Sequence, residues 1–198
     1  ASVFDESTAH TMGLQIGPDG LLYGCRNHDA QIVRYTAQGE IEVLLQGELY
    51  PVPDEADNPG EFCNDMAINA DGGIWFTDRV NERVIYLAPD GSARTVADGF
   101  RPNGIVLSLD QKVLVVTDSN EPVLHAFAVG VNGELTEVEN FFDPIKLPKP
   151  LPNGELVGKG KPGTDGMAVD SDGRYYVATL AGIQIFDRDG RYLGLMGT

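Results

Sequence analysis

Hydrophobic residues occur along this chain in short runs of strand length, and polar turn residues separate the runs. Four segments share one pattern: an apolar run, a turn at or near Asp-Gly, and a second run rich in Val, Leu and aromatic residues. They are residues 13–25, 65–77, 104–117 and 166–179. Asp-Gly between two apolar runs predicts a β-hairpin, because glycine adopts a positive φ without steric cost. The third segment has Asp110-Gln111 at this turn.

A second predicted hairpin follows each of these segments. The strands of these hairpins are residues 31–35 and 41–45, 83–87 and 93–96, 123–129 and 135–138, and 182–186 and 192–195. Each repeat is therefore predicted to be a sheet of four antiparallel strands. Such sheets repeated in series are typical of β-propeller blades. The sequence predicts an all-β fold with about four blades in residues 1–198, and no segment has the periodicity and caps of a helix.

Two long insertions make the spacing of the repeats uneven. Residues 47–62 are acidic and contain proline, and residues 141–163 contain five prolines. Loops of this length in a compact domain are usually functional or mobile.

Composition narrows the possible partners. The chain has 14 basic and 30 acidic residues, a net charge of -16. This charge disfavours nucleic acid and anionic membranes, which are bound through Lys and Arg, but it is compatible with cation binding. No apolar run is long enough to span a membrane. We expect a soluble protein; no signal peptide is visible, and periplasmic or secreted locations stay open because a mature chain would have lost it.

The two cysteines, Cys25 and Cys63, are too few for a Cys-rich zinc site or a disulfide framework. Whether they form one disulfide is open at this stage, as is the oligomeric state.

Equivalent positions in successive propeller blades form a ring around the central channel. The position seven residues before each turn aspartate holds Met12, Asn64, Asn103 and Asp165. Three of the four offer side-chain oxygens, which a hard cation such as calcium prefers. The alternative is that Asn and Asp serve here only as turn residues. We predict a divalent cation site at Asn64, Asn103 and Asp165, with a further carboxylate expected from a blade not seen here.

The second strand of each blade ends at the same face as this predicted ring. Arg26, His28, Arg79 and Asp118 lie at or just after these strand ends and are candidates for substrate contacts. The alternative is that they are solvated loop residues.

Four stretches resemble a known family. They are Asn64-Asp65 leading to Phe76-Thr77-Asp78, Arg101-Pro102-Asn103-Gly104, Val116-Thr117-Asp118-Ser119, and Asp165-Gly166-Met167-Ala168-Val169-Asp170. In order and surroundings they resemble the gluconolactonase, senescence marker protein and luciferin-regenerating enzyme family. The resemblance implies a six-bladed propeller with one divalent cation in its channel, calcium before zinc, manganese or magnesium.

The resemblance also implies roles for individual residues. Asn64 resembles the substrate-side Asn beside the metal, Asn103 the metal-ligand Asn, and Asp165 the Asp that binds metal and acts as general base. The Glu-Gly-Pro motif of the family's first blade is absent, and Phe62 stands where some members have Arg. We therefore interpret residues 1–198 as a single, partial propeller domain whose first and last blades are not evident.

The function implied by the resemblance is hydrolysis of a sugar-type or other small lactone. The cation would polarise the ester carbonyl, and Asp165 would handle the proton of the attacking water. Two alternatives are a non-catalytic propeller binding module and a calcium-dependent phosphotriesterase-like hydrolase. The sequence has no Gly-x-Ser-x-Gly motif, and its three histidines lack zinc-site spacing.

Overall fold

A computed structural model describes residues 7–51 and 60–197. In these ranges the chain forms four antiparallel sheets of four strands each. We call these sheets blades 1 to 4 in chain order. The prediction of an all-β fold built from four-stranded blades is confirmed, and the single domain and the absent blades stay predictions. By its internal contacts the chain divides into two compact units, residues 1–99 and 100–198.

The first unit contains blades 1 and 2. Their strands are β1 (Thr11–Ile16), β2 (Leu22–Arg26), β3 (Gln31–Tyr35) and β4 (Ile41–Gln46), then β5 (Met66–Ile68), β6 (Ile74–Asp78), β7 (Arg83–Leu87) and β8 (Ala93–Asp98). Strand order within each sheet follows the chain, as expected when hairpins connect all the strands.

The second unit repeats this plan in blades 3 and 4. Their strands are β9 (Pro102–Leu107), β10 (Val113–Asp118), β11 (Leu124–Val129) and β12 (Leu135–Glu137), then β13 (Met167–Val169), β14 (Tyr175–Thr179), β15 (Gly182–Phe186) and β16 (Tyr192–Met196). Within the described ranges, helical structure is limited to short 3-10 turns at Asn27–Asp29, Val131–Gly133 and Val157–Gly160. No helix among these residues is long and apolar enough to cross a membrane.

The first hairpin of each blade turns as the sequence predicts. Gly20, Gly72 and Gly173 have φ of 77°, 83° and 82° at this turn. Gln111 takes the same left-handed conformation with φ of 58°. A residue other than glycine is strained in this region, so the turn imposes its geometry on the sequence.

Each unit has an apolar core between its two blades. In the first unit, Ile32, Phe62 and Phe76 are buried together with the two cysteine side chains. In the second unit, Val115, Tyr175, Val177 and Phe186 form the corresponding core. Tyr175 and Val177 are alternate residues of β14, as expected where one face of a strand packs on a core.

The second insertion is anchored to blade 4. Buried Gln184 accepts a hydrogen bond from the backbone N–H of Lys146 and donates one to its carbonyl, each at 2.8 Å. Phe142 packs edge to face on Tyr175 and Phe186, with ring centroids 5.1 and 5.7 Å away. The first residues of this insertion therefore extend the core of the second unit.

In every blade a β-bulge precedes or begins the first strand. In blade 3 the pairing register shifts so that Asn103 and Gly104 together face Thr117. The other blades have the same arrangement, with Met12-Gly13 opposite Cys25, Asn64-Asp65 opposite Thr77, and Asp165-Gly166 opposite Ala178. A bulge redirects side chains out of the regular pleat. The four positions aligned by the sequence repeat are thus the first residues of four equivalent bulges.

Glycine at the second bulge position allows the two blades of a unit to touch. The Gly13 N–H donates to the carbonyl of Asn64 at 2.8 Å. A Cβ added to Gly104 would collide with the carbonyl oxygen of Asp165 and lie 2.8 Å from the Cα of Gly166. Because both obstacles are backbone atoms, they cannot move aside as a side chain can.

We therefore expect Gly104→Ala to lower the free energy of unfolding by about 1–3 kcal/mol, the usual cost of overpacking. Urea denaturation measures the change. Gly194→Ala is the control, because it lies in strand β16 with no atom within 4 Å of the added Cβ. Equal stability of the two variants would contradict the close approach of these blades.

Candidate functional site

The second unit places Asn103 and Asp165 on neighbouring bulges. Asn103 is half-buried and lies just inside β9, and Asp165 is exposed two residues before β13. The backbones of these two segments meet at Gly104 and the Asp165 carbonyl. The predicted cation ligands of this unit therefore lie on touching stretches of chain.

Thr117 joins these two stretches. Its hydroxyl oxygen is fully buried and accepts a hydrogen bond from the Gly104 N–H at 2.8 Å. The hydroxyl lies 3.2 Å from the carbonyl oxygen of Asp165, to which it donates. One buried side chain thus fixes the backbone at both candidate positions of the second unit.

The backbone of Asp165 is held while its carboxylate is left accessible. Its N–H donates to the carbonyl of Ala178 at 2.9 Å, and its own carbonyl accepts from Thr117. Its carboxylate makes no hydrogen bond or ion pair with the described part of the chain. A carboxylate fixed through its backbone and open to solvent is suited to hold a cation or accept a proton.

In the first unit, Asn64 is buried beside Met12. Its N–H donates to the carbonyl of Thr77 at 2.9 Å, and its side-chain Nδ2 lies 3.6 Å from the Met12 sulfur. The Met12 sulfur also accepts from Nδ2 of Asn27 at 3.0 Å. Blade 1 therefore has a thioether where the other three blades have an oxygen donor, and two amides converge on it.

Arg26 and His28 lie at the end of the second strand of blade 1, as predicted. Arg26 is buried and donates from Nε and Nη2 to one carboxylate oxygen of Asp29, at 3.0 and 2.8 Å. His28 stacks on His10 with ring centroids 4.4 Å apart. The Arg26 charge is thus already balanced within its own blade.

Arg79, at the equivalent place in blade 2, forms an ion pair with Glu61. Its Nη2 lies 2.6 and 2.7 Å from the two carboxylate oxygens, and its Nε lies 3.1 Å from Oε2. The Glu61 side chain is 9% exposed and that of Arg79 is 23% exposed. Glu61 lies three residues before Asn64. The positive charge of Arg79 near Asn64 is therefore neutralised by a carboxylate.

Asp118 is nearly fully buried, and its carboxylate serves the turn that follows β10. Its Oδ1 accepts from the N–H groups of Asn120 and Glu121 at 2.8 and 3.3 Å. Its Oδ2 lies 3.6 Å from Nε2 of His125. The substrate contact predicted for Asp118 is untested, and the structure shows a role in fixing this turn.

Several residues support the site in an anchoring role that the sequence did not predict. Thr77 and Thr117 anchor their bulges, Asn27 accepts from the Phe62 N–H at 2.9 Å, and Thr164 donates to the Asp118 carbonyl at 2.6 Å. The two threonines occupy the same place before an aspartate in blades 2 and 3, which is a signal the repeat alignment contains. Asn27 and Thr164 carry no such signal.

The donor types at Asn103 and Asp165 fit a hard divalent cation, which prefers amide and carboxylate oxygens. Among the described residues, no three His, Cys, Asp or Glu side chains form a cluster able to hold a metal. The predicted set has a different composition, one carboxylate with amides, and stays a prediction.

Cys25 and Cys63 are free, buried thiols in the core of the first unit. Burial, together with a hydrogen bond to Cys63, raises the pKa of the Cys25 thiol well above its ordinary value. Both effects disfavour the reactive thiolate.

We expect Glu61→Ala to lower the free energy of unfolding by about 1–3 kcal/mol, because it leaves a largely buried guanidinium without its partner. The matched control is Glu42→Ala, which breaks the Arg34–Glu42 pair on the half-exposed strand β4. That change is expected to cost less than about 1 kcal/mol. Chemical denaturation compares the two, and a smaller loss in Glu61→Ala than in the control would contradict the burial of this pair.

Comparison with known proteins relates this architecture to one family. The family model described as "SMP-30/Gluconolactonase/LRE-like region" matches residues 5–196. A gluconolactonase of Zymomonas mobilis is 27% identical over 210 residues, covering 93% of this chain and 53% of that protein. The lactonase drp35 of Staphylococcus aureus strain MRSA252 is 27% identical over 207 residues, covering 96% of this chain and 57% of that protein. The chain spans about half the length of these curated relatives.

Solved structures agree with this assignment. A gluconolactonase of Xanthomonas campestris matches with a TM-score of 0.74 and 27% identity over 100% of this chain and 65% of that one. A streptogramin B lyase matches with a TM-score of 0.64 and 18% identity over 98% of this chain and 55% of that one. At that identity the second likeness shows the fold alone.

Proposed function

The chain belongs to the SMP-30/gluconolactonase/LRE-like family, and from this premise we propose that it contributes to the hydrolysis of a sugar-type or other small lactone. The observation that carries the proposal is the position of Asp165. Its backbone is fixed at a bulge by two hydrogen bonds, and its carboxylate is exposed and unpaired among the described residues.

In the proposed reaction, Asp165 accepts a proton from a water molecule as the water oxygen bonds to the lactone carbonyl carbon. The ring C–O bond then breaks, and the leaving oxygen takes up a proton to give the open hydroxy acid. Because Asp165 is held through its backbone, its carboxylate can be positioned without side-chain partners that would compete for the proton.

Asn103 and Asp165 are the residues of the second unit that would hold a divalent cation, with calcium expected first. When bound, such a cation supplies polarisation of the carbonyl and stabilisation of the developing oxyanion. Asn103 would contribute an amide oxygen from the adjoining bulge, and Asp165 would be the carboxylate of this pair. The role proposed for Asn64, contact with cation and substrate, rests on the family resemblance.

The substrate is proposed to be uncharged. Arg26 and Arg79, two of the residues predicted to contact it, are paired with Asp29 and Glu61. An anionic substrate would have to compete with these carboxylates, whereas sugar hydroxyls need only the remaining N–H groups of Arg79.

We expect Asp165→Ala to reduce kcat for a δ-lactone by at least about 100-fold, the lower range for loss of a general base. Asp172→Ala is the control, because it removes a carboxylate that is 67% exposed in the β13–β14 turn. Lactone opening is followed by acid release, with spontaneous hydrolysis subtracted. Full activity in Asp165→Ala would refute its assigned role.

The cation prediction is tested on protein treated with a chelator, into which calcium, zinc, manganese and magnesium are titrated separately. One of them is expected to raise the melting temperature and the lactone turnover together. Asn103→Ala should raise the half-saturating concentration by at least about tenfold, a loss that even outer-shell changes cause.

The control for this titration is Asn153→Ala, which changes an exposed asparagine of the second insertion. If no metal changes either readout, the donor positions act only as turn residues, and the binding-module alternative replaces hydrolysis. A parallel assay with an organophosphate triester separates lactonase from phosphotriesterase activity.

A further inference from the structure

The turn after β10 is bonded to both segments that carry the candidate residues of the second unit. The Ser119 N–H donates to the carbonyl of Arg101 at 2.9 Å, two residues before Asn103. The carbonyl of Asp118 accepts from the hydroxyl of Thr164 at 2.6 Å, in the residue before Asp165. Any movement of this turn is therefore transmitted to both segments.

The turn is itself fixed by the Asp118 carboxylate, which is nearly fully buried. Two backbone N–H groups of the turn occupy its Oδ1. Its Oδ2 faces the imidazole of His125 on β11, with 3.6 Å between Oδ2 and Nε2. A buried carboxylate oxygen of this kind needs a donor, and His125 is the group that faces it.

His125 is held between two carboxylates and aromatic rings. Its Nδ1 lies 3.2 Å from a carboxylate oxygen of Glu137 on β12, and its ring stacks on Phe100 with centroids 4.0 Å apart. Its Nε2 is buried and has no hydrogen-bond partner within the usual distance. A neutral imidazole carries one N–H, whereas the imidazolium carries two and can donate to both acids.

In blade 2, the equivalent buried aspartate has a permanently charged donor. Asp78 accepts from the Asn81 N–H in its turn, and Nε of Arg83 lies 2.8 Å from its Oδ2. Arg83 is directly opposite Asp78 on the neighbouring strand. In blade 3 the equivalent aspartate is faced by His125, which lies opposite Val116 and is titratable. The guanidinium of Arg83 remains charged at all ordinary pH values.

We propose that His125 is a positioning residue: as imidazolium it bridges Asp118 and Glu137, fixes the turn after β10, and so holds the segments of Asn103 and Asp165 in place. Its effect on turnover rests on the proposed function. The bridging itself does not.

The charged groups that face the His125 ring are Asp118 from β10 and Glu137 from β12. Phe100 and Phe127 are its aromatic neighbours. Burial alone would lower the pKa of His125, but the facing carboxylates of Asp118 and Glu137 outweigh it and raise the pKa. Burial alone would raise the pKa of Asp118, but His125 and the turn N–H groups lower it.

The sign of the pH dependence follows from these shifts. The stabilisation due to His125 is complete below its unfolded pKa of about 6.5 and is lost as pH rises through the higher folded value. The stabilisation due to Asp118 is lost only as pH falls through its lowered pKa, at the acid end. Positioning by the bridge is therefore strongest in mildly acidic solution.

The test is an NMR titration of the wild type, Asp118→Asn and His125→Arg. In the wild type, the His125 ring is expected to titrate above the ordinary histidine pKa of about 6.5. The amide shifts of Ser119 and Asp165 should follow the titration of this ring. Asp118→Asn should lower the ring pKa, and in His125→Arg both amide shifts should lose the step that follows the His125 titration. The Gly13 amide, bonded to Asn64 in the first unit, is the internal control and should not follow this titration.

Turnover supplies the second readout. In the wild type, kcat should fall as pH rises through the His125 pKa, with KM nearly constant, and His125→Arg should remove this step. His125→Gln should lower kcat roughly tenfold in mildly acidic solution, within the range that small misplacements cost. If His125→Gln does not fold, its NMR spectrum will show this. The kcat of the wild type is then compared with that of His125→Arg alone.

The outcomes separate the two proposals. Amide shifts that follow His125 in a protein without lactone turnover would overturn the proposed function and uphold the bridge. Turnover with amide shifts that ignore the His125 titration would overturn the positioning role alone. A His125 pKa at or below the ordinary value would overturn it as well.

Discussion

The backbone contact between successive bulges is the constraint on which each unit depends. Gly13 bonds to the carbonyl of Asn64, and Gly104 lies against the carbonyl of Asp165, at equivalent places in the two units. Because these contacts join main chain to main chain, they fix the candidate positions more rigidly than side-chain packing could. A side chain at Gly13 or Gly104 would push the two blades of its unit apart, so at these two bulges the first position is left to carry chemistry.

In the second unit the carboxylate of Asp165 is accessible, and in the first unit two candidate arginines are neutralised by carboxylates. Arg26 forms an ion pair with Asp29, and Arg79 forms one with Glu61. The carboxylate of Asp165 has no partner among the described residues. With an overall charge of -16, the chain attracts cations and repels anions. This pattern supports the proposal of an uncharged lactone and a divalent cation.

The sequence predicted the strands and their register because both depend on local signals. Short apolar runs and the turns at or near Asp-Gly placed the strand ends within two residues, and aligning the turns identified all four first bulge positions. The sequence could not show that Glu61 forms an ion pair with Arg79, or that the Met12 sulfur accepts a hydrogen bond from Asn27. These contacts join segments that are distant in sequence, and no local pattern predicts them. The cation, and the substrate roles of Asn64, His28 and Asp118, stay predictions, since donor type alone does not decide occupancy.

Separate supports for backbone and side chain explain how one repeat can serve different roles. Thr77 and Thr117 hold the bulges of blades 2 and 3 through main-chain groups, so the side chain that projects from each bulge can change without altering its position. The turns differ in the same way, with Arg83 in blade 2 and His125 in blade 3 facing equivalent aspartates. A permanent charge makes the first turn insensitive to pH, and a titratable one makes the second turn responsive. The proposed response therefore lies in the unit that carries Asp165, where a change in the backbone can reach the residue proposed as proton acceptor.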